Sequence, residues 1–351
     1  MLLEKTIAGI GELNAEAMEE ARGHQKNLIK PYGSLGMLED VAVKIAGITG
    51  EVKPVLENKA VITCAGDHGV AARKVSVADQ EVTRQMVRGF LDGGAAINVL
   101  TRHAGARVIC VDVGMVKPVD DPRLKVRRVG PGTGDIATGP AMSREQARAA
   151  VEAGIEVAAA EIEKGVELLA TGDMGIGNTT PSTAILAAFT GFPAFLITGR
   201  GTGIDREALQ RKAQIVEEAL KVNKPDPRDG LDVLAGVGGF EIGAIAGVIL
   251  SAAASRVPVV IDGFISGAGA MIARALAPRA LDFVLASHLS EEPGHKVMLT
   301  WLGVRPLLQM NMRLGEGTGA ALSFTLIDAA LKIVREMATY DQAGVSDTGL
   351  R

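Results

Sequence analysis

The stretch Val166-Glu-Leu-Leu-Ala-Thr-Gly-Asp-Met-Gly-Ile-Gly-Asn-Thr-Thr180 passes from an apolar run into glycines and then into amide and hydroxyl side chains. Val166–Thr171 is short and apolar enough to be a strand buried on both faces. The glycines that follow allow a tight turn or a close backbone approach, and Asn178, Thr179 and Thr180 suit the first turn of a helix. Strand, glycine turn and helix start in succession form one unit of an α/β sheet.

The same unit recurs on both sides. Ala60–Cys64, Arg107–Val113, Ala194–Thr198, Val257–Asp262 and Leu281–Ala286 read as further strands, with glycine-rich turns after nearly every one. Amphipathic segments lie between them. Gln80–His103 carries Val82, Met86, Phe90, Ile97 and Leu100 at helical spacing, with a glycine pair in its middle. Ser143–Glu163 opens on Ser-Arg-Glu-Gln, a capping-box start, and Asp205–Val222 opens on an N-capping Asp. The expected fold is α/β, a doubly wound, Rossmann-like parallel sheet spanning residues 51–296. Residues 1–50 and 297–351 read as helical without a strong strand, so they are expected to form a small helical domain beside it. Asn223–Gly230, rich in Pro and Asp, reads as a surface loop.

Composition narrows the function. The 351 residues are 47% apolar and 22% charged, the usage of an ordinary globular protein with a sizeable core. A net charge of −4, no long basic run and only 3% aromatic residues argue against nucleic-acid or anionic-membrane partners. Cys64 and Cys110 each lie in an apolar run, as buried free thiols of a reduced compartment do. The N-terminal stretch is acidic, without the basic start and apolar middle of a signal peptide, so a cytoplasmic protein is expected. Met174–Gly199 and Gly236–Ser255 are apolar, but Pro181, Gly191 and Pro193 break the first, and Glu241 with several glycines marks the second as a buried helix. The five histidines show no metal-ligand spacing, and no metal is expected.

The glycine loops fit none of the common nucleotide templates. No Gly-Lys pair occurs, which removes the P-loop. Gly199-Arg-Gly201-Thr-Gly203 has Ile204, and Gly130-Pro-Gly132 has Asp135, where a dinucleotide fingerprint needs its third glycine. No Gly-x-Ser-x-Gly elbow is present. Three loops combine glycine with charge. The amides and side chains of residues 175–180 either cradle a phosphate or cap a helix. Ser287–His295 is polar and follows the last strand, as a binding loop or an exposed one. In Met312–Leu322, Glu316 stands between Gly315 and Gly317 just before an apolar helix, either facing a ligand or in solvent beside a helix capped by Thr318.

Taken together, Lys30-Pro-Tyr-Gly-Ser-Leu-Gly36, Asp67-His-Gly-Val70, Gln80-Glu-Val-Thr83, Gly172–Thr180, Asp262-Gly-Phe264, Glu292-Pro-Gly-His295 and Arg313-Leu-Gly-Glu-Gly317 resemble the nicotinate-nucleotide:dimethylbenzimidazole phosphoribosyltransferases over nearly the whole chain. The resemblance implies a cofactor-free homodimer that moves phosphoribose from nicotinate mononucleotide to an aromatic base, in the assembly of a cobamide's lower ligand. It implies Glu316 as general base, with Asp173, Gly175, Gly177, Asn178, Thr179, Thr180, Lys212, Ser290, Arg313, Gln85 and Gly315 binding substrate. The phosphate is expected at the 175–180 loop, Lys212, Ser290 and Arg313. Two departures touch the base pocket: Asp173 where relatives often carry Glu, and Ala78-Asp79 where they carry an aromatic-Pro or Ser-Pro pair. Dimethylbenzimidazole, benzimidazole, adenine and a phenolic acceptor are therefore all candidates. Two other classes compete, a non-catalytic ribotide binder and a nucleoside hydrolase; intact Glu316 and Arg313 weigh against the first, and the lack of an assembled Asp cluster against the second.

Overall fold

The apolar runs become strands wherever they can be buried from both faces. The computed structural model describes residues 1–346. The strands are β1 (Lys59–Gly66), β2 (Ala106–Gly114), β3 (Lys125–Val126), β4 (Leu168–Met174), β5 (Val259–Ile261), β6 (Val284–His288) and β7 (Pro306–Leu308). They form one sheet in the order β3-β2-β1-β4-β5-β6-β7, and every pairing is parallel. The helices are α1 (Leu2–Ala8), α2 (Ala15–Asn27), α3 (Met37–Thr49), α4 (Glu81–Leu91), α5 (Ala96–His103), α6 (Arg144–Glu163), α7 (Thr179–Thr190) and α8 (Ala194–Ile197). After them come α9 (Arg206–Asn223), α10 (Gly230–Val237), α11 (Phe240–Ala254), α12 (Phe264–Leu276), α13 (Gly294–Leu302), α14 (Thr318–Glu336) and α15 (Tyr340–Ala343).

Two apolar cores sandwich the sheet, as a doubly wound fold requires. On one face α6, α7, α11 and α12 bury residues such as Val151, Ile185, Ile245 and Met271. On the other, α3, α4, α5 and α14 bury Ile45, Val87, Ile97 and Phe324. Helix α11 is covered all round, and Glu241 within it is fully buried. The chain builds outward from β1 through β2 to β3, then returns to place β4 on the other flank of β1. The crevice beyond the carboxyl ends of β1 and β4 is thus the topological switch point, where open α/β sheets bind ligands.

The doubly wound parallel sheet is as expected, and both helix starts hold: Ser143 forms a reciprocal capping box with Gln146, and Asp205 accepts from the Ala208 amide. Several local readings change. Ala194–Thr198 is not a strand. Pro193 precedes a short helix, Thr198 Oγ1 donates back to the Ala194 carbonyl, and Phe195 and Leu196 face outward. A short apolar run carries no periodicity that separates the two states. Gln80–His103 divides into α4 and α5 at Gly93, which takes a left-handed φ of 79°. The last strand starts at Val284, because Pro278–Phe283 forms a 3-10 turn first. Residues 297–346 also contain β7, paired with β6 at the sheet edge. The final stretch of the expected helical domain, 347–351, lies outside the described residues. Among the described residues no helix is long and apolar enough to cross a membrane.

Candidate active site

A cavity of about 380 Å³ opens at the switch point. The end of β4 and the turn after it supply Asp173, Gly175, Gly177, Asn178 and Thr179; the end of β6 and the residues that follow β5 and β6 supply Gly263, Phe264, His288 and Ser290; the segment before α14 supplies Arg313, Leu314, Gly315 and Glu316. Nine of the expected residues therefore meet around one space.

Glu316 is 5% exposed, not in solvent. Its backbone is left-handed, φ 64°, between Gly315 and Gly317, which are also left-handed. A non-glycine residue seldom occupies this region, and here tertiary contacts hold it there. Thr63 Oγ1 on β1 donates to the Glu316 carbonyl at 3.0 Å, and the Ile97 amide in the first turn of α5 donates to its carboxylate at 3.3 Å. The carbonyl passes so close over β4 that a Cβ on Gly172 would collide with it. Burial pushes the Glu316 carboxyl above its ordinary range, and the Asp262 charge adds to this against the Ile97 amide. The capping alternative does not occur: Thr318 Oγ1 donates to the Gly315 carbonyl, and the start of α14 is held by Asp262, whose carboxylate accepts from the Gly317 and Ala320 amides.

Asp173 is also buried, with Asn178 Nδ2 donating to one carboxylate oxygen at 2.9 Å. Desolvation, together with repulsion from Asp262, raises its pKa to about 8. Asn178 is spent on this bond and does not cap α7. The site thus contains two carboxyl groups that favour the protonated form more than free carboxylates do.

Three expected contacts differ. Lys212 is fully buried behind the cavity wall, where its ammonium donates to Thr179 Oγ1 at 2.7 Å and to the Gly199 carbonyl at 3.1 Å. Burial lowers its pKa to about 8, opposed by Glu292. Thr180 turns inward on α7 and does not line the cavity; its hydroxyl has no hydrogen-bond partner among the described residues. Gln85 is exposed on α4, while its neighbour Met86 lines the cavity. Arg313 sits at the mouth and donates to the Gly201 carbonyl at 3.3 Å.

His288 and Glu292 line the cavity although sequence reasoning gave neither a site role. The polar stretch Ser287–His295 is no exposed loop: His288, Ser290, Glu292 and His295 are all buried. Glu292 accepts from the Gly201 amide at 2.9 Å, tying this stretch to the 199–203 loop. The signal available was position, since His288 closes the last apolar strand at its carboxyl end.

A phosphoribosyltransferase family model matches residues 10–345. The chain belongs to the family of nicotinate-nucleotide:dimethylbenzimidazole phosphoribosyltransferases. It is 57% identical to the enzyme of that name from Roseiflexus sp. (strain RS-1) and 56% identical to that from Desulforudis audaxviator (strain MP104C), over 98% of this chain and 98% of each relative. The crystal structure of the phosphoribosyltransferase of that name from Thermus thermophilus superposes with a TM-score of 0.91 at 46% identity, covering 95% of this chain and 100% of that one. The buried carboxyl groups, glycine turn and flanking cations described above are therefore the candidate machinery of a phosphoribosyltransferase.

Proposed function

We propose that the enzyme transfers phosphoribose from nicotinate mononucleotide to 5,6-dimethylbenzimidazole or a related aromatic base. The products are α-ribazole 5′-phosphate and nicotinate, with inversion at C1′, in the nucleotide-loop assembly of a cobamide. The observation that carries this reading is Glu316, a buried carboxylate of raised pKa facing the same cavity as a glycine turn suited to phosphate.

The glycosidic bond to the pyridinium nitrogen breaks and its electron pair leaves with nicotinate, so the ring nitrogen departs neutral and needs no acid. The acceptor nitrogen bonds C1′ from the opposite face. Its second ring nitrogen then carries an acidic hydrogen, which Glu316 removes. Met86, Met174 and Leu314 give the acceptor apolar walls. The amides of the 175–179 turn and Ser290 receive the phosphate, with Arg313 at the mouth. Lys212 acts from behind Thr179: its charge reaches the phosphate through that hydroxyl, and an arriving dianion favours its protonated form. Asp173, neutral below about pH 8, can donate a hydrogen bond where an ionised carboxylate would repel the phosphate.

The enzyme works as a cytoplasmic homodimer in this reading. Exposed Phe195, Leu196, Met310 and Leu314 supply apolar surface suited to a partner. Residues 1–50 and 297–346 act as the smaller helical unit, a division supported by the packing of α14 on α3, while β7 ties the second segment to the sheet. The test is incubation with nicotinate mononucleotide, with and without dimethylbenzimidazole. Nicotinate release that requires the base is expected; release without a base means hydrolysis, and no release with a panel of azoles and phenols means a binding protein.

A further inference from the structure

His288 is a polar side chain of the cavity wall that the mechanism above leaves without work. It ends β6 with its side chain 1% exposed, and its ring forms part of the cavity wall. Its protonation pattern follows from its neighbours. Ser287 Oγ donates its single hydrogen to the Asp262 carbonyl at 2.9 Å, so it has only lone pairs to offer His288 Nδ1, also at 2.9 Å. Nδ1 therefore carries the hydrogen. The Asp262 carboxylate, 3.8 Å away, favours the hydrogen on that side. Nε2 is left as a bare acceptor with no hydrogen-bond partner among the described residues. The ring cannot swing aside easily, because it lies against the backbone of Gly319, where an added Cβ would overlap it, and beside Gly263 on its other edge.

The position matches a particular part of the donor. Ser290, expected at the phosphate, lies next to Gly263 beside the imidazole, and Gly319 follows Glu316 by one turn of chain. A ribose bridging phosphate and reacting carbon would pass this nitrogen, and its hydroxyls are the hydrogen-bond donors it offers there. We propose that His288 Nε2 accepts a hydrogen bond from a hydroxyl of the ribotide's ribose, and so fixes the sugar while C1′ changes partners. This rests on the ribotide reading above. As C1′ gains positive character its neighbouring hydroxyl becomes a better donor, so such a bond strengthens toward the transition state.

The test compares nicotinate mononucleotide with its 2′-deoxy and 3′-deoxy analogues, in the wild type and in His288→Leu. The wild type should lose about 5- to 100-fold in kcat/KM on one of the two analogues, which identifies the hydroxyl. His288→Leu should fall by a similar factor on the full ribotide, no longer distinguish that analogue, and keep its KM for the acceptor base within about twofold. Wild type that uses both analogues as well as the ribotide overturns the assignment, and so does a variant that keeps the discrimination. If His288→Leu does not fold, His288→Gln is read in the same way, and a wild type indifferent to both analogues still overturns the assignment. Failure of the wild type on the full ribotide would reject the proposed reaction instead, a result distinct from turnover without discrimination.

Discussion

At Glu316 three separate pieces of chain converge: β1 through Thr63, α5 through the Ile97 amide, and the glycine pair that permits its left-handed backbone. Only the last is visible in sequence, which is why the residue by itself reads more readily as a solvated carboxylate. The glycine turn after β4 was legible as a strand end passing into a helix, while Asp173 entered only through the family resemblance. The shielding of Lys212 was not, since a lysine amid Arg206, Arg211 and Glu217 looks like a solvated helix charge. Asp173 gives a prediction at this scale. It titrates near 8 in the folded protein against an ordinary 3.8, so over that interval the folded state holds a proton the unfolded chain lacks. Its contribution is fully present below about pH 4 and is lost as pH rises through 8. Thermal denaturation at about pH 5 and about pH 8.5 should therefore show a smaller fall in Tm for Asp173→Asn than for wild type. Parallel falls would mean that Asp173 is already ionised at the lower pH.

Among the elements, long periodic segments such as α6 and α9 were readable to within a residue, because caps and periodicity agree. Short ones were not. Ala194–Thr198 has strand composition, yet Pro193 and exposure of Phe195 make it a helical turn, and β7 is too short to leave a pattern. The strand with most consequence for the site is β4. Its Gly172 leaves room for the Glu316 carbonyl, so Gly172→Ala must push the 315–317 turn outward. A displacement of the base by about 1 Å is enough to cost roughly 10²-fold in turnover. Steady-state kinetics should show that loss with ribotide binding changed less than about tenfold. A Gly172→Ala enzyme of normal turnover would show that the turn has slack the packing does not suggest.

For the whole molecule, the parallel α/β sheet followed from the alternation of apolar runs and helices, whereas its strand order, and with it the switch point where the cavity lies, came from the structure. What sequence could not supply was which loops approach each other. The 199–203 and 287–295 segments meet through Glu292 and Gly201, far apart in the chain. The exposed apolar side chains Phe195, Leu196, Met310 and Leu314 have their prediction here. Sedimentation equilibrium at micromolar concentration should give the mass of two chains, whereas a monomer at that concentration would contradict the proposed assembly.

The account rests most heavily on Glu316 as the base, and Glu316→Gln is the direct probe. Nicotinate release in the presence of dimethylbenzimidazole should fall at least about tenfold, while calorimetry shows nicotinate mononucleotide binding retained. In the wild type the acid limb of the pH profile should lie above the ordinary glutamate range, because burial raises this carboxyl and only its ionised form accepts the proton. A Glu316→Gln enzyme with unchanged turnover and an unaltered pH profile would contradict the account.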